Sequence, residues 1–234
     1  MRLDRYLSHA AGLTRSEAQR AVRAGRVAVD GAPVRDAALR LSEGAAVALD
    51  GVAVVERGPR YLMLHKPAGC VCATSDGVHP TVLELLPEGA RDGLHVVGRL
   101  DLDVTGLVLL TDDGEWSHRV TAPRRKCPKT YLAELAEPLA EAAAASLRAG
   151  VRLRGEERET RPAAVEALGD RRVRITVTEG RYHQVKRMVA AVGSRVLTLH
   201  RERVGPVDLD PSLAPGAWRS LTAEEVARLG DCSG

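Results

Sequence analysis

Residues 95–113 read HVVGRLDLDVTGLVLLTDD. A β-prone pair, Val96-Val97, runs into Gly98-Arg99-Leu100-Asp101, and a second apolar run, Leu107 to Leu110, follows Gly106. Two extended runs joined by a polar turn set a carboxylate where strand gives way to loop, a position from which a rigid scaffold presents side chains into a cleft. Arg99 and Asp101 are two apart, so extended backbone points both to the same side. The plainest alternative is a surface turn with an Arg–Asp pair. A glycosidase pair of Asp101 and Asp103 is disfavoured, because such carboxyls face each other across a sugar at roughly 5–10 Å.

Outward from this stretch the pattern mixes both element types. Strands are expected over 61–65, 94–97, 106–111, 130–135, 163–167, 172–178 and 195–199, and helices over 115–120, 138–149, 182–192 and 222–229. Gly150 and Gly193 stop two of the helices, and Thr222-Ala223-Glu224-Glu225 is a capping box. Strands outnumber helices without regular alternation, which predicts an α+β domain on a mainly antiparallel sheet over 59–234 and argues against a doubly wound one.

Residues 1–58 form a smaller unit. Leu3, Tyr6, Leu7 and Ala10 have helical spacing. Thr14-Arg15-Ser16-Glu17 is a second capping box, opening a helix that Gly25 ends from the left-handed region. Val27-Ala28-Val29 and Val47-Ala48-Leu49 each lead into Asp-Gly, a strong hairpin signal. Glu56-Arg57-Gly58-Pro59 reads as a linker.

The chain has 234 residues, 44% hydrophobic and 28% charged, which excludes global disorder and fibrous repeats. No apolar run approaches the roughly 18 residues of a membrane span, and MRLDRYLSH is no export signal, so a cytosolic protein with no membrane partner is expected. Four cysteines (Cys70, Cys72, Cys127, Cys232) are too few for a disulfide scaffold and are expected as reduced thiols. Cys70 and Cys72 lack zinc spacing, so no metal is expected. Dinucleotide, Walker, metalloprotease and nucleophile-elbow motifs are absent. Of the 34 basic residues only Lys66, Lys126, Lys129 and Lys186 are lysine, and the net charge of +3 resides in residues 1–60. Arginine matches phosphate oxygens, so nucleic acid is a compatible partner, although a GC-rich coding bias also supplies arginine.

Two further segments stand out. Residues 117–131, SHRVTAPRRKCPKTY, hold five cations and no acid. Pro123 and Pro128 make this a shaped basic loop in expectation, suited to tracking phosphates, with Tyr131 opening a strand. Residues 179–188, EGRYHQVKRM, start a helix after Gly180, with Val185, Met188, Val189 and Val192 on its apolar stripe. An amphipathic helix with a basic outer side is one reading. A cation aimed at the carboxylate of the first segment is the other.

Together, GRLD (98–101), KTYL (129–132) and EGRYHQVKRM (179–188) resemble the three motifs of the RsuA-type pseudouridine synthases, in the family's order, and residues 1–58 resemble the S4 RNA-binding domain that often precedes them. The flanking strings resemble the small-subunit rRNA branch most closely. The resemblance implies isomerisation of a uridine in small-subunit (16S) ribosomal RNA, without cofactor, on an everted nucleotide. It implies that Asp101 is the nucleophile, Lys186 its cationic partner where many relatives carry Arg, and Tyr131 the residue packing on uracil and a candidate base for the C5 proton. A phenol of ordinary pKa near 10 needs help from its surroundings for that task. Arg99 matches a position that fills the gap left by the flipped nucleotide. Arg2, Arg5, Arg15, Arg20, Arg124, Arg125, Lys129, Arg181 and Arg187 are the further expected RNA contacts. The expected partner is ribosomal RNA or a partly assembled small subunit, and the expected state a monomer. The alternatives are a large-subunit (23S) rRNA enzyme of the same family and a non-catalytic S4-type assembly factor.

Overall fold

The computed structural model describes residues 1–55 and 58–232, the His9 side chain excepted. Glu56 and Arg57 of the expected linker lie outside the described residues. The chain divides into two compact units, Met1–Pro59 and Arg60–Gly234.

In the first unit, helices α1 (Leu3–Ala10) and α2 (Arg15–Arg23) precede strands β1 (Val27–Val29), β2 (Ala32–Val34), β3 (Val47–Leu49) and β4 (Val52–Val54). The Thr14 capping box forms as read: the Thr14 hydroxyl accepts from Glu17 N–H and the Glu17 carboxylate accepts from Thr14 N–H. The strands pair antiparallel in the order β2-β1-β3-β4. Asp30-Gly31 and Asp50-Gly51 turn two hairpins with φ of 50° and 80°, and 53° and 78°, the doubly left-handed turn that Asp-Gly favours. Leu3, Leu7, Ala18, Val22, Val27 and Val47 close the core. Asp4 is buried at the start of α1, where it accepts from Arg2 and from Gln19 of α2. These bonds, the Arg2 bonds largest, hold its carboxyl down at about 2 against the cost of burial.

The second unit runs β5 (Tyr61–Lys66), a 3₁₀ turn (Val82–Leu85), α3 (Glu88–Arg91), β6 (His95–Val97), β7 (Thr105–Thr111), α4 (Gly114–Thr121), β8 (Lys129–Leu135), α5 (Glu141–Ala149), β9 (Ala164–Ala167), β10 (Arg172–Val177), α6 (Gln184–Ala191), β11 (Val196–Val204), β12 (Val207–Asp208), β13 (Trp218–Ser220) and α7 (Ala223–Gly230). Its sheet orders as β13-β5-β7-β11-β8-β10-β9, with β6 added to β7 and β12 to β11. Every pairing is antiparallel except β7 with β11, so the fold is the expected α+β, mainly antiparallel type.

Strand β7 is central and covered on both faces. Leu107 and Leu109 pack with Trp116 of α4 and Leu229 of α7, while Val108 and Leu110 pack on the opposite face in the cluster that holds Tyr131, Val185 and Met188. That division follows from the period of two in a strand. Each fully buried Leu contributes roughly 1.5–3 kcal/mol, so this one strand anchors both layers. Gly106 lets β7 meet β11 closely: its φ is 110°, and a Cβ there would lie 2.3 Å from the Arg201 carbonyl oxygen.

Several boundaries differ from expectation. The helix expected from 138 starts at Glu141, with Ala140 in extended conformation as its N-cap. The helix expected from 182 starts at Gln184, after a tight turn at Arg181–His183. The strand expected over 195–199 continues to Val204; alternating charged residues there hide a strand that pairs along β8. Strands β12 and β13 were not expected. The start of the basic segment, 117–121, is helical as part of α4, so only 122–128 is loop. No described helix is long and apolar enough to cross a membrane.

Candidate active site

Asp101 follows β6 through a turn that the second unit holds from two sides. Gly98 takes a φ of 81°, which a side chain would strain. Leu100 tucks into the core and its N–H donates to the Cys72 sulfur at 3.2 Å. Beneath the turn lies Lys66, fully buried, whose Nζ donates to the carbonyls of Pro67 (3.0 Å), Leu102 (3.2 Å) and Val104 (2.7 Å). Burial pushes this ammonium below its ordinary value. From the side comes Arg201 of β11, also buried, with Nε donating to Leu107 O at 2.7 Å and Nη2 to Gly98 O at 3.0 Å. Two buried cations thus satisfy main-chain carbonyls on both flanks of Asp101.

Helix α6 and the turn before it supply the groups facing the carboxylate. Val185, Met188 and Val189 enter the core, as the apolar stripe requires, which turns Lys186 toward the cavity. Lys186 Nζ lies 3.3 Å from Asp101 Oδ2 and 2.6 Å from Asp103 Oδ1. Burial disfavours its charge, but bonds to Asp103 and Asp101 outweigh this and raise its pKa above the ordinary lysine value. The same ammonium holds the Asp103 carboxyl low. His183, the N-cap of α6 with φ of 47°, places Nε2 at 3.4 Å from Asp101 Oδ1.

Tyr131 sits on β8 opposite Ile175 of β10 and Arg201 of β11. It lines, together with Asp101, Lys186, Lys129, Arg99 and Tyr182, a cavity of about 340 Å³. That volume falls in the range of roughly 300–1,000 Å³ common for small-molecule pockets. The walls are mixed in character, with an ion cluster at one end and Tyr131 with the aliphatic Val104 and Leu199 nearby.

The structure therefore brings Asp101, Tyr131 and Lys186 to one cavity, with Arg99 exposed at its edge. The other expected contacts separate into groups. Lys129 faces the cavity, its Nζ donating to Cys127 O, and burial lowers its pKa despite the pull of Cys127. Arg124 is exposed on the 122–128 loop, and Arg125 donates to Gly230 O. Arg181 and Arg187 are engaged within the protein: both bridge to Glu156, and both donate to main-chain carbonyls, Arg158 and Glu159 for the first, Tyr182 and Arg154 for the second. Their role in this geometry is to brace the turn ahead of α6. In the first unit Arg5 and Arg20 are exposed, while Arg2 and Arg15 lie beside the buried Asp4 at 2.8 and 3.6 Å.

Four site residues escaped the sequence reading. His183 stands inside a motif already singled out, and its place just ahead of a helix was the available signal. In the sequence Asp103 reads only as a second carboxylate of a glycosidase pair. Lys66 and Arg201 carry no local signal, since both are distant in sequence from the turn they support.

A family model described as RNA pseudouridylate synthase matches residues 60–191, and an S4 domain model matches residues 1–47. The chain is 52% identical over 231 residues to the ribosomal small subunit pseudouridine synthase A of Salmonella typhimurium, covering 98% of this chain and all of that one. It is 48% identical over 229 residues to the protein of the same name from Vibrio cholerae, with 98% and 99% covered. A crystal structure of a pseudouridylate synthase superimposes with a TM-score of 0.72 at 44% identity, over 98% of this chain and 99% of that one.

Proposed function

Because this chain belongs to the RNA pseudouridylate synthase family and carries an S4 domain, we propose that it isomerises a uridine of small-subunit ribosomal RNA to pseudouridine with Asp101 as nucleophile. The observation that carries the reading is the convergence of Asp101, Lys186 and Tyr131 on one cavity. The reaction breaks the N1–C1′ bond of the target, forms a C5–C1′ bond, releases the C5 proton and leaves a proton on N1. Atoms and electrons balance within the substrate, so the chemistry needs no redox partner and no cofactor.

Each residue has a task in that sequence. Asp101, paired with the Lys186 ammonium at 3.3 Å and faced by His183, attacks the substrate and keeps the detached fragment on the protein while the base turns. Tyr131 lies against the uracil face and is the candidate acceptor of the C5 proton. Uridine in a stacked helix exposes neither bond, so the target must be everted, and Arg99 at the edge of the cavity enters the gap. Residues 1–58 add a basic module that contacts RNA through backbone and shape, raising the effective concentration of the catalytic unit at the site. The working setting we propose is a cytosolic monomer acting on rRNA or a partly assembled small subunit.

The test offers RNA of each ribosomal subunit, tritiated at uridine C5, and follows label release. Wild-type protein releases label from small-subunit RNA only, and Asp101→Asn releases none while still binding. Turnover by a folded Asp101→Asn chain overturns the assignment of the nucleophile.

A further inference from the structure

We propose that the exposed ring of Tyr182, backed by His183, is a stacking platform for the nucleobase next to the target uridine; this rests on the isomerase reading above. Tyr182 is 74% exposed, whereas Tyr6 and Tyr131 are each at 9%. The chain has 3% aromatic residues and no Phe, and this exposed ring stands among the residues that line the cavity. One face of the ring is covered: the His183 imidazole stacks on it with centroids 3.7 Å apart and planes at 21°. The remaining surface is open, and a flat π-face beside a basic cavity is what sequence-tolerant binding of an unpaired base uses.

The backbone around the ring is built to hold it there. His183 adopts a left-handed conformation, uncommon for a residue with a side chain and a frequent mark of functional turns. The Tyr182 carbonyl accepts from Arg187 Nη1 at 3.1 Å, and Gln184 Oε1 accepts from Arg181 N–H at 2.9 Å. Glu156 receives both Arg181 and Arg187, tying the two ends of the turn together. A backbone held this firmly, with the ring stacked on His183, loses little freedom when a ligand arrives. Its location matches the purpose, because the other end of the stacked pair, His183 Nε2, stands 3.4 Å from Asp101. A base resting on Tyr182 is therefore one neighbour away from the nucleoside that Asp101 attacks. Eversion of that nucleoside removes a stacking partner from its neighbour, and Tyr182 replaces it.

The experiment first maps the modified uridine with wild-type protein by C5 label release, then compares short RNAs that carry 2-aminopurine, or an abasic residue, on either side of it. With Asp101→Asn chain as a non-reacting trap, 2-aminopurine fluorescence on one side is quenched on binding, and Tyr182→Ala in the same background abolishes the quench while Tyr182→Phe retains it. In otherwise wild-type protein, Tyr182→Ala lowers kcat/KM on the order of tenfold, within the roughly 5- to 150-fold that loss of one base–aromatic stack produces. The penalty disappears on RNA that is abasic at that side. Unchanged fluorescence on both sides, or an equal penalty with and without the neighbouring base, overturns the platform. A wild-type chain that releases no label overturns the isomerase reading instead.

Discussion

Replacing Arg201 by Met removes the lateral support of the turn that carries Asp101 and nothing on its surface. The side chain is 1% exposed and spans from β11 to Leu107 O at 2.7 Å and Gly98 O at 3.0 Å; a third contact, to Arg99 O at 3.4 Å, is too long to count for much. Hydrogen bonds from a charged donor contribute about 1.5–3 kcal/mol each, so the two good bonds set a gross loss of about 3–6 kcal/mol. Methionine also relieves the several kcal/mol spent desolvating the guanidinium, which brings the expected net loss to about 2–4 kcal/mol. Tryptophan fluorescence during urea unfolding reads this directly, because Trp116 and Trp218 both lie in the second unit and the first has none. With a urea slope of about 2 kcal/mol/M, the midpoint falls by about 1–2 M. Label release falls by at least about tenfold, since an ångström of misplacement at a reacting group costs up to ~10²-fold. Arg201→Lys recovers part of the stability but little of the rate, because one ammonium cannot reach both carbonyls as a fork does. A midpoint unchanged within about 0.3 M together with turnover within twofold of wild type would refute the bracing role.

Asp103 lies 2.6 Å from Lys186 Nζ, yet its side chain is 72% exposed, and exposed pairs contribute about 0–1 kcal/mol. Asp103→Asn is therefore expected to shift the urea midpoint by less than about 0.5 M and to leave Lys186 serving Asp101 alone; a loss above about 2 kcal/mol contradicts this. Asp4 behaves oppositely. Its folded carboxyl titrates at about 2, below the unfolded value near 3.9, so its stabilisation is complete above about pH 4 and is lost as pH falls toward 2. Amide-exchange protection of α1 and α2, compared at pH 5 and pH 3, decreases in wild type but changes less in Asp4→Asn. Equal pH dependence in the two chains removes Asp4 as the source.

How much could be read in advance depended on the range of each interaction. Capping boxes at Thr14 and Thr222, the Asp-Gly turns and the apolar stripe of α6 involve residues within four of each other, and they appear where the sequence put them. The family motifs likewise marked Asp101, Tyr131 and Lys186 as belonging together. Strand β11 was cut short because Arg201 and Arg203 interrupt its apolar pattern, although Arg201 is among the most buried side chains. Arg181 and Arg187 are expected as RNA contacts from their motif, and only the arrival of Glu156 from the loop after α5 pairs both within the protein.

The sequence by itself determined the two-unit organisation, the mixed fold class and the local caps and turns, since these depend on spacing along the chain, while the resemblance of three motifs to a known family singled out Asp101, Tyr131 and Lys186. Tertiary structure alone decided that Lys186 divides its charge between Asp101 and Asp103, that His183 joins them, and that Lys66 and Arg201 hold the turn from within. A buried cation is tolerated only where acceptors converge on it, and for Lys66 and Arg201 that convergence exists only once the sheet has brought β5, β7 and β11 side by side.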